Sequence, residues 1–203
     1  MTTVTLVYPY FHPSNDNSIF RFPPLGLGYL AAYLREHSFS VNLVDCTFLT
    51  QKEALQKIQR SNPEIIGIYS MFSMKNKTLQ MAKLLRNDCK LLVAGGPLPT
   101  SNPESFLDDF DVVAIGEGEE TLLELADSVE RGIGYSQVKG IAYHEKGRIK
   151  RTPPRVFIGD LDDIPFPARE FFDNAAYKEH YSRNFGYTIT SVMTSRGCPF
   201  KCD

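Results

Sequence analysis

IIGIYSMFSMKNKTLQMAKLLRNDCKLLVAGG, residues 65–96, contains a complete strand–helix–strand pattern. The runs IIGIYS and LLVAG are short and almost continuously apolar, which is typical of strands that are covered on both faces of a sheet. Between these runs, Thr78, Met81, Ala82 and Leu85 recur at the spacing of one helix face. Because parallel strands need a crossover connection, usually a helix, this stretch predicts two parallel strands joined through a helix.

The same alternation continues on both sides of this stretch. Similar apolar runs are VTLVY at residues 4–8, VNLVD at residues 41–45 and DVVAIG at residues 111–116. Helical spacing recurs between or after them, in Leu27, Leu30, Ala31 and Leu34 and again in Leu122, Leu125, Ala126 and Val129. Since such crossovers are right-handed, five units of this kind predict an α/β fold with a doubly wound parallel sheet in the flavodoxin-like order 2-1-3-4-5.

The pattern changes after about residue 134. Residues 138–152 predict a β-hairpin that turns at Gly147, and the prolines that follow indicate an extended linker. We expect a short helix around residues 169–177 and another strand at residues 187–194. This divides the chain into a ligand-binding domain at 1–134, a hairpin and linker at 135–160, and a further linker with the start of a second domain at 161–203.

Composition excludes several classes of function. The 203 residues carry 22 basic and 24 acidic side chains, mixed along the chain, so nothing predicts binding to nucleic acid. No apolar run approaches the ~20 residues that span a bilayer, and the first residues do not resemble a signal peptide, so we expect a cytoplasmic protein with no membrane partner. Cys46 and Cys89 are expected to be small buried or half-buried thiols.

The ligand site of an open α/β sheet lies beyond the carboxyl ends of its strands, where three loops of this chain are unusual. They are Ser70-Met71-Phe72-Ser73, AGGPLPTSNPE at residues 94–104, and GEGEET at residues 116–121. Their glycines lack a Cβ, so the backbone can approach a ligand or adopt positive φ; the alternative is that they only turn corners. Together the loops predict a long slot, and the absence of GxGxxG and GxxxxGK[ST] motifs disfavours nucleotide cofactors.

Two helix starts carry further signals. Gly26 and Gly28 weaken the first helix intrinsically, which suggests that another part of the molecule packs closely against it. Asn102 is expected to cap a helix that has Pro103 at its first position and Glu104 in its first turn.

Three motifs, taken in order, resemble a known family. PPLGLGYLAAYLREH at residues 23–37, AGGPLPTSNPE and FDVVAIGEGEETLLEL at residues 110–125 are similar to the cobalamin-binding domain of radical S-adenosylmethionine proteins. That family includes methyltransferases and cyclases such as the anaerobic magnesium-protoporphyrin ester cyclase. The resemblance implies that cobalamin lies over the strand ends with its nucleotide tail inserted beside the third and fourth strands. The residues that it implies for this slot are Ser70, Met71, Gly95, Gly96, Pro97, Gly116, Glu117, Gly118 and Thr121.

The chain departs from the family pattern at two points. Leu98 stands where the family often has the histidine of GGPHPT, so any hydrogen bond from that side chain is lost. The DxHxxG motif of other cobalamin proteins is also absent: alignment on His12 puts Tyr10 and Asn15 where Asp and Gly belong. Because a metal-bound histidine needs an acceptor that fixes its tautomer, we expect no histidine on the lower face of the cobalt.

The motif SRGCPFKCD at residues 195–203 places Cys198 and Cys202 three residues apart, as in the radical S-adenosylmethionine pattern CxxxCxxC, whose third cysteine would fall at position 205. The resemblance implies a [4Fe–4S] cluster that binds S-adenosylmethionine, an electron donor, and a small-molecule substrate held mainly by a barrel domain. Two stray thiols or half of a zinc site are the alternatives. With two thiolates of three, this chain alone is expected to bind cobalamin but not to catalyse.

Other proteins of this topology fit less well. A response regulator would need acidic residues after the first strand, where this chain has Tyr8-Pro9-Tyr10, and an electron-carrying flavodoxin would need a hydroxyl-rich phosphate loop there. The surviving alternative is a domain that kept the fold, lost cobalamin and acts as an interaction module.

Overall fold

A computed structural model describes residues 2–11 and 20–197, which form one sheet with helices on both faces. The strands are β1 (Thr3–Tyr8), β2 (Ser40–Asp45), β3 (Ile65–Tyr69), β4 (Leu91–Gly95), β5 (Val112–Ala114), β6 (Ile141–Glu145) and β7 (Arg148–Arg151). The helices are α1 (Leu25–Glu36), α2 (Gln51–Arg60), α3 (Lys75–Leu85), α4 (Pro97–Ser101), α5 (Glu119–Arg131) and α6 (Asn174–Phe185).

The strands lie in the order β2-β1-β3-β4-β5-β6-β7. The first five pair in parallel, which confirms the predicted fold class and the order 2-1-3-4-5. The hairpin is also confirmed, with Lys146 and Gly147 both at positive φ in its two-residue turn. However, β6 pairs antiparallel with β5, with Val113 opposite Ala142, so the hairpin extends the same sheet.

Strand alternation creates two hydrophobic cores, one on each face of the sheet. Val4 and Leu6 of β1 and Leu91 and Val93 of β4 pack with α1 and α5, whereas Val7 packs with α2 and α3 on the opposite face. The central strands β1, β3, β4 and β5 are therefore covered on both faces, as their continuous apolar runs predict.

The linker packs back onto the sheet domain through α1. The Ala168 N–H donates to the carbonyl of Gly28 over 3.0 Å, and a Cβ on Gly28 would lie 2.9 Å from the ring of Phe172. The expectation of close packing on this glycine is confirmed. Gly26, by contrast, has no atom within 4 Å of the position that a Cβ would take.

A buried polar network fixes α6 beyond the end of β2. The Tyr177 hydroxyl donates to Asp45 over 2.6 Å, and Thr47 donates to the other carboxylate oxygen through its backbone N–H and its hydroxyl. Burial raises the pKa of Asp45 above its ordinary value, although these donors partly oppose the shift. Within the described ranges, no helix combines the length and the apolar character that crossing a membrane requires.

Three local predictions need correction. Residues 187–194, predicted as a strand, have no regular structure, because they pair with no strand of the described sheet and are held by Arg169, which donates to Ser191 and Thr190. The helix expected at 169–177 is a 3-10 turn at Arg169–Phe171 followed by α6. Asn102 precedes only a 3-10 turn, Pro103–Ser105, and its side chain makes no capping bond there.

The contrast between Gly28 and Gly26 gives a test of the linker packing. We expect Gly28→Ala to lower the free energy of unfolding by about 1–3 kcal/mol, because the added methyl group overlaps the Phe172 ring. Gly26→Ala, the matched control in the same helix, should cause no loss, because its methyl group meets open space. Urea unfolding of both variants measures the difference; equal stabilities would show that residues 167–172 do not pack here.

Candidate functional site

Missing side chains on one face of the sheet open a cavity at the carboxyl ends of the strands. Gly67 lies in the middle of β3, opposite Leu6 of β1 and Val93 of β4, and Gly95 ends β4 two residues after Val93. Alternation turns these positions toward α1 and α5, so the space that their side chains would fill lies between the sheet and these helices. The result is a cavity of about 400 Å³, called here the glycine slot.

The glycine slot has mainly apolar walls. From the strands and the loops that follow, it is lined by Leu6, Gly67, Ile68, Tyr69, Val93, Gly95, Gly96, Ala114, Gly116 and Gly118. From the helices it is lined by Gly26, Leu27, Leu30, Glu119 and Leu122, and from the end of the described chain by Met193, Ser195, Arg196 and Gly197. A mostly apolar space with a few polar groups at its edge is typical of a small-molecule or cofactor site.

Gly95 and Gly96 have different roles. A Cβ on Gly95 would meet no protein atom within 4 Å, so the missing side chain leaves room in the slot itself. Gly96 has φ +107°, and its Cβ would lie 2.7 Å from the Ser70 carbonyl oxygen and 2.9 Å from the Tyr69 ring. Gly96 is therefore required by the corner between β4 and α4 as well as lining the slot.

The residues of the loop after β5 also have different roles. Gly116, at φ +86°, donates its N–H to the Thr100 hydroxyl, and a Cβ on Gly118 would lie 3.1 Å from Leu30 of α1. Gly118 thus allows the start of α5 to approach α1 closely. The carboxylate of Glu117 accepts the Ile158 N–H over 2.7 Å and so holds the linker.

Like Glu117, four other predicted site residues do not line the slot. Ser70 is buried, with its hydroxyl 3.4 Å from the carbonyl oxygen of Met71, while Met71 and Pro97 are exposed beyond the strand ends. Thr121 is buried against the linker, where its hydroxyl donates to the Glu117 carbonyl oxygen and accepts the Nε–H of Arg155 over 3.0 Å. Their roles in binding stay predictions.

Leu98, the departure from the family pattern, packs against the core on the opposite face of the sheet. The short helix α4 places it there, and it does not line the slot. Leucine in place of the family's histidine at position 98 therefore removes no contact from inside this cavity.

Sequence reasoning missed Gly67, Tyr69, Glu119 and Arg196. Gly67 carried a usable signal, because a glycine inside a strand often marks a close approach to the backbone. Glu119 was expected only to favour a helix start, yet it is 4% exposed, lines the slot and accepts from Arg196 over 2.6 Å. Its neighbour Glu120 instead pairs with Arg155, and no sequence pattern separates the two glutamates.

The two cysteines among the described residues have thiols with raised pKa values. Cys46 is fully buried, which raises the pKa of its thiol strongly, and burial raises the pKa of Cys89 to about 11. Both are free thiols, as expected. Cys198, Cys202 and His12 lie outside the described residues, and among those described no three His, Cys, Asp or Glu side chains are grouped to hold a metal.

Sequence comparison identifies the family. The model of the family described as "B12 binding domain" matches residues 15–126, more than half of the chain. This chain belongs to the B12-binding domain family. The slot therefore lies in a B12-binding domain, at the strand ends where such a sheet takes its ligand.

Two curated relatives extend beyond this B12-binding domain. An uncharacterized methyltransferase of Pyrococcus horikoshii is 35% identical over 187 residues, which cover 89% of this chain and 39% of that protein. The anaerobic magnesium-protoporphyrin IX monomethyl ester cyclase of Rubrivivax gelatinosus is 28% identical, with 98% of this chain and 37% of that protein covered. The chain thus spans about two fifths of the length of these relatives.

A solved structure agrees with the sequence comparison. The cobalamin-dependent S-adenosylmethionine radical enzyme OxsB, with aqua-cobalamin and S-adenosylmethionine bound, matches with a TM-score of 0.70 and 25% identity, over 83% of this chain and 24% of that one. The resemblance to cobalamin-binding domains of radical S-adenosylmethionine proteins is confirmed, and the alternative of an interaction module receives no support.

The slot itself fits the nucleotide tail of cobalamin. The space that a Gly95 side chain would fill is open, and the surrounding walls are mainly backbone and aliphatic groups, which could contact both faces of a flat aromatic base. Gly67, Gly95 and Gly96 would border such a base on the sheet side, and Leu30 and Leu122 on the helix side.

Gly95→Val tests this fit. The Cβ of the new side chain would enter the slot with no protein atom within 4 Å, so we expect cobalamin affinity to fall at least ~10-fold while the free energy of unfolding changes by less than about 1 kcal/mol. Gly134→Val, at an exposed position outside the slot with equally open space, is the control. Titration with hydroxocobalamin measures the affinity, and wild-type affinity in Gly95→Val would place the tail elsewhere.

Proposed function

We propose that this chain is the cobalamin-binding part of a radical S-adenosylmethionine enzyme that transfers a methyl group or carries out an oxidative cyclisation at unactivated carbon. The observation that carries the proposal is the glycine slot, open where Gly95 lacks a side chain and bordered by apolar walls. The names of the relatives, one a methyltransferase and one a cyclase, support these two reaction classes.

The residues of this chain would bind and orient the cofactor. Gly95 and Gly96 admit the tail between the sheet and the helices, and Leu30 and Leu122 exclude water from it. The bound cobalamin would supply a cobalt centre that carries a methyl group or assists an oxidation. The residues of the slot would hold the tail beside β3 and β4, which would keep the cobalt centre at the carboxyl ends of these strands.

The loop residues that do not line the slot would act at its outer end. We propose that Met71 and Pro97 contact the corrin, because both are exposed directly beyond the strands that border the slot. Ser70, Glu117 and Thr121 would also contact the ligand, as the family resemblance implies. The hydroxyls of Ser70 and Thr121 lie near backbone carbonyl oxygens of their own loops.

The domain division at residues 134 and 160 remains part of the proposal. Pairing of β6 with β5 supports a hairpin that is attached to the cobalamin domain. Residues 161–203 would lead into a radical-enzyme barrel, which would bind a small-molecule substrate and receive an electron from a donor. The unpaired thiols of Cys46 and Cys89 support a reducing, cytoplasmic location.

The chemistry of Cys198 and Cys202 completes the proposal. With a third cysteine they would bind three irons of a [4Fe–4S] cluster and leave the fourth iron open to the amino and carboxylate groups of S-adenosylmethionine. The spacing CPFKC and the radical enzyme among the structural relatives support this assignment. This chain alone, with two of the three thiolates, would bind cobalamin without catalysing the reaction.

We expect the chain to bind hydroxocobalamin with the benzimidazole detached from cobalt and no protein histidine in its place. Among the described residues that line the slot, none is a histidine. Visible spectra of the bound hydroxocobalamin, and electron paramagnetic resonance spectra after one-electron reduction to the paramagnetic Co(II) form with an added chemical reductant, report the lower ligand. Nitrogen coupling from a histidine that disappears in His12→Ala would contradict this assignment, and no binding at all would contradict the proposed function.

We also expect a chain that continues past Asp203 to assemble an iron–sulfur cluster that this chain alone does not retain. Anaerobic reconstitution with iron and sulfide, followed by iron analysis and electron paramagnetic resonance, compares the longer chain with this chain. Cys198→Ala in the longer chain should abolish reductive cleavage of S-adenosylmethionine and leave cobalamin binding intact, with Cys89→Ala as the control. Uptake of zinc instead of iron would exclude the radical assignment.

A further inference from the structure

The segment at residues 193–197, called here the covering segment, closes one side of the glycine slot. Met193, Ser195, Arg196 and Gly197 all line the cavity, although they are more than 70 residues away in sequence from the strands and helices that form its other walls. Arg169 of the linker also holds the preceding residues, with its guanidinium 2.6 Å from the Ser191 carbonyl oxygen.

Arg196 makes the strongest contacts of the covering segment. Its guanidinium donates to Glu119 over 2.6 Å and lies 3.4 Å from Glu117, while its carbon is 5.3 Å from the centre of the Tyr29 ring. Tyr29 belongs to α1 and Glu119 to α5, so Arg196 bridges the two helices that form the outer wall of the slot.

The burial of this ion pair distinguishes it from an ordinary surface pair. The Glu119 side chain is 4% exposed and that of Arg196 is 19% exposed, whereas the pair between Arg183 and Glu179 on α6 is 75% and 68% exposed. Exposed pairs contribute little to stability, but loss of one partner from a buried pair leaves an uncompensated charge. Without Arg196, the Glu119 carboxylate would face the apolar slot alone.

We propose that Arg196 is a positioning residue that retains the cobalamin tail by holding the covering segment over the glycine slot. The inference rests on the proposed function. The cavity is open while Arg196 pairs with Glu119, so the tail and the ion pair can be present together, and the covering segment would slow release of the tail.

The rate of cobalamin dissociation tests this role. Each variant of the chain is loaded with hydroxocobalamin and mixed with an excess of apo cobalamin-binding protein, and the visible spectrum is followed. We expect Arg196→Ala to dissociate at least ~10-fold faster than wild type with a much smaller change in the association rate. Arg196→Lys, which keeps the charge near Glu119, should dissociate at a rate close to that of wild type. Arg183→Ala should dissociate at the wild-type rate.

A double-mutant cycle assigns the effect to the ion pair. Glu119→Gln should accelerate dissociation, and adding it to Arg196→Ala should cause little further acceleration, because both changes break the same contact. Thermal unfolding of the apo proteins checks that the domain itself is intact. Wild-type dissociation in Arg196→Ala, or additive effects in the double variant, would overturn this inference and leave the proposed function standing. Failure of the wild-type chain to bind hydroxocobalamin would overturn both.

Discussion

The structure depends on a gap that two glycines leave on one face of the sheet. Gly67 and Gly95 lie at positions where the alternation of β3 and β4 would otherwise direct side chains against α1 and α5. A close-packed interior would normally fill such positions. Here the helices contact each other near their starts, at Leu30 and Gly118, and the space between them and the sheet stays open.

The sheet could be predicted because its signals are local. Each apolar run marks a strand buried on both faces, and the handedness of crossovers then limits the strand order to a few choices. The pairing of β6 with β5 could not be predicted, because any exposed strand edge can accept a hairpin. Residues 187–194 have strand-forming side chains but pair with no strand within residues 2–11 and 20–197, so the prediction there was wrong.

The parts of the site that depend on backbone conformation could be predicted from the sequence. The parts that depend on contacts between residues far apart in the sequence could not. Gly95, Gly96, Gly116 and Gly118 were visible as glycines after strands, and all four line the slot. The pairing of Arg196 with Glu119 joins residues 77 positions apart and depends on the path of the linker, which sequence periodicity does not describe.

A crystal structure of the chain bound to cobalamin tests the central claim most directly. Our account predicts electron density for the benzimidazole inside the glycine slot, in contact with Gly67 and Gly95 on the sheet side and with Leu30 and Leu122 on the helix side. The cobalt should carry no benzimidazole nitrogen. A benzimidazole coordinated to the cobalt, with the glycine slot empty beneath it, would contradict the account.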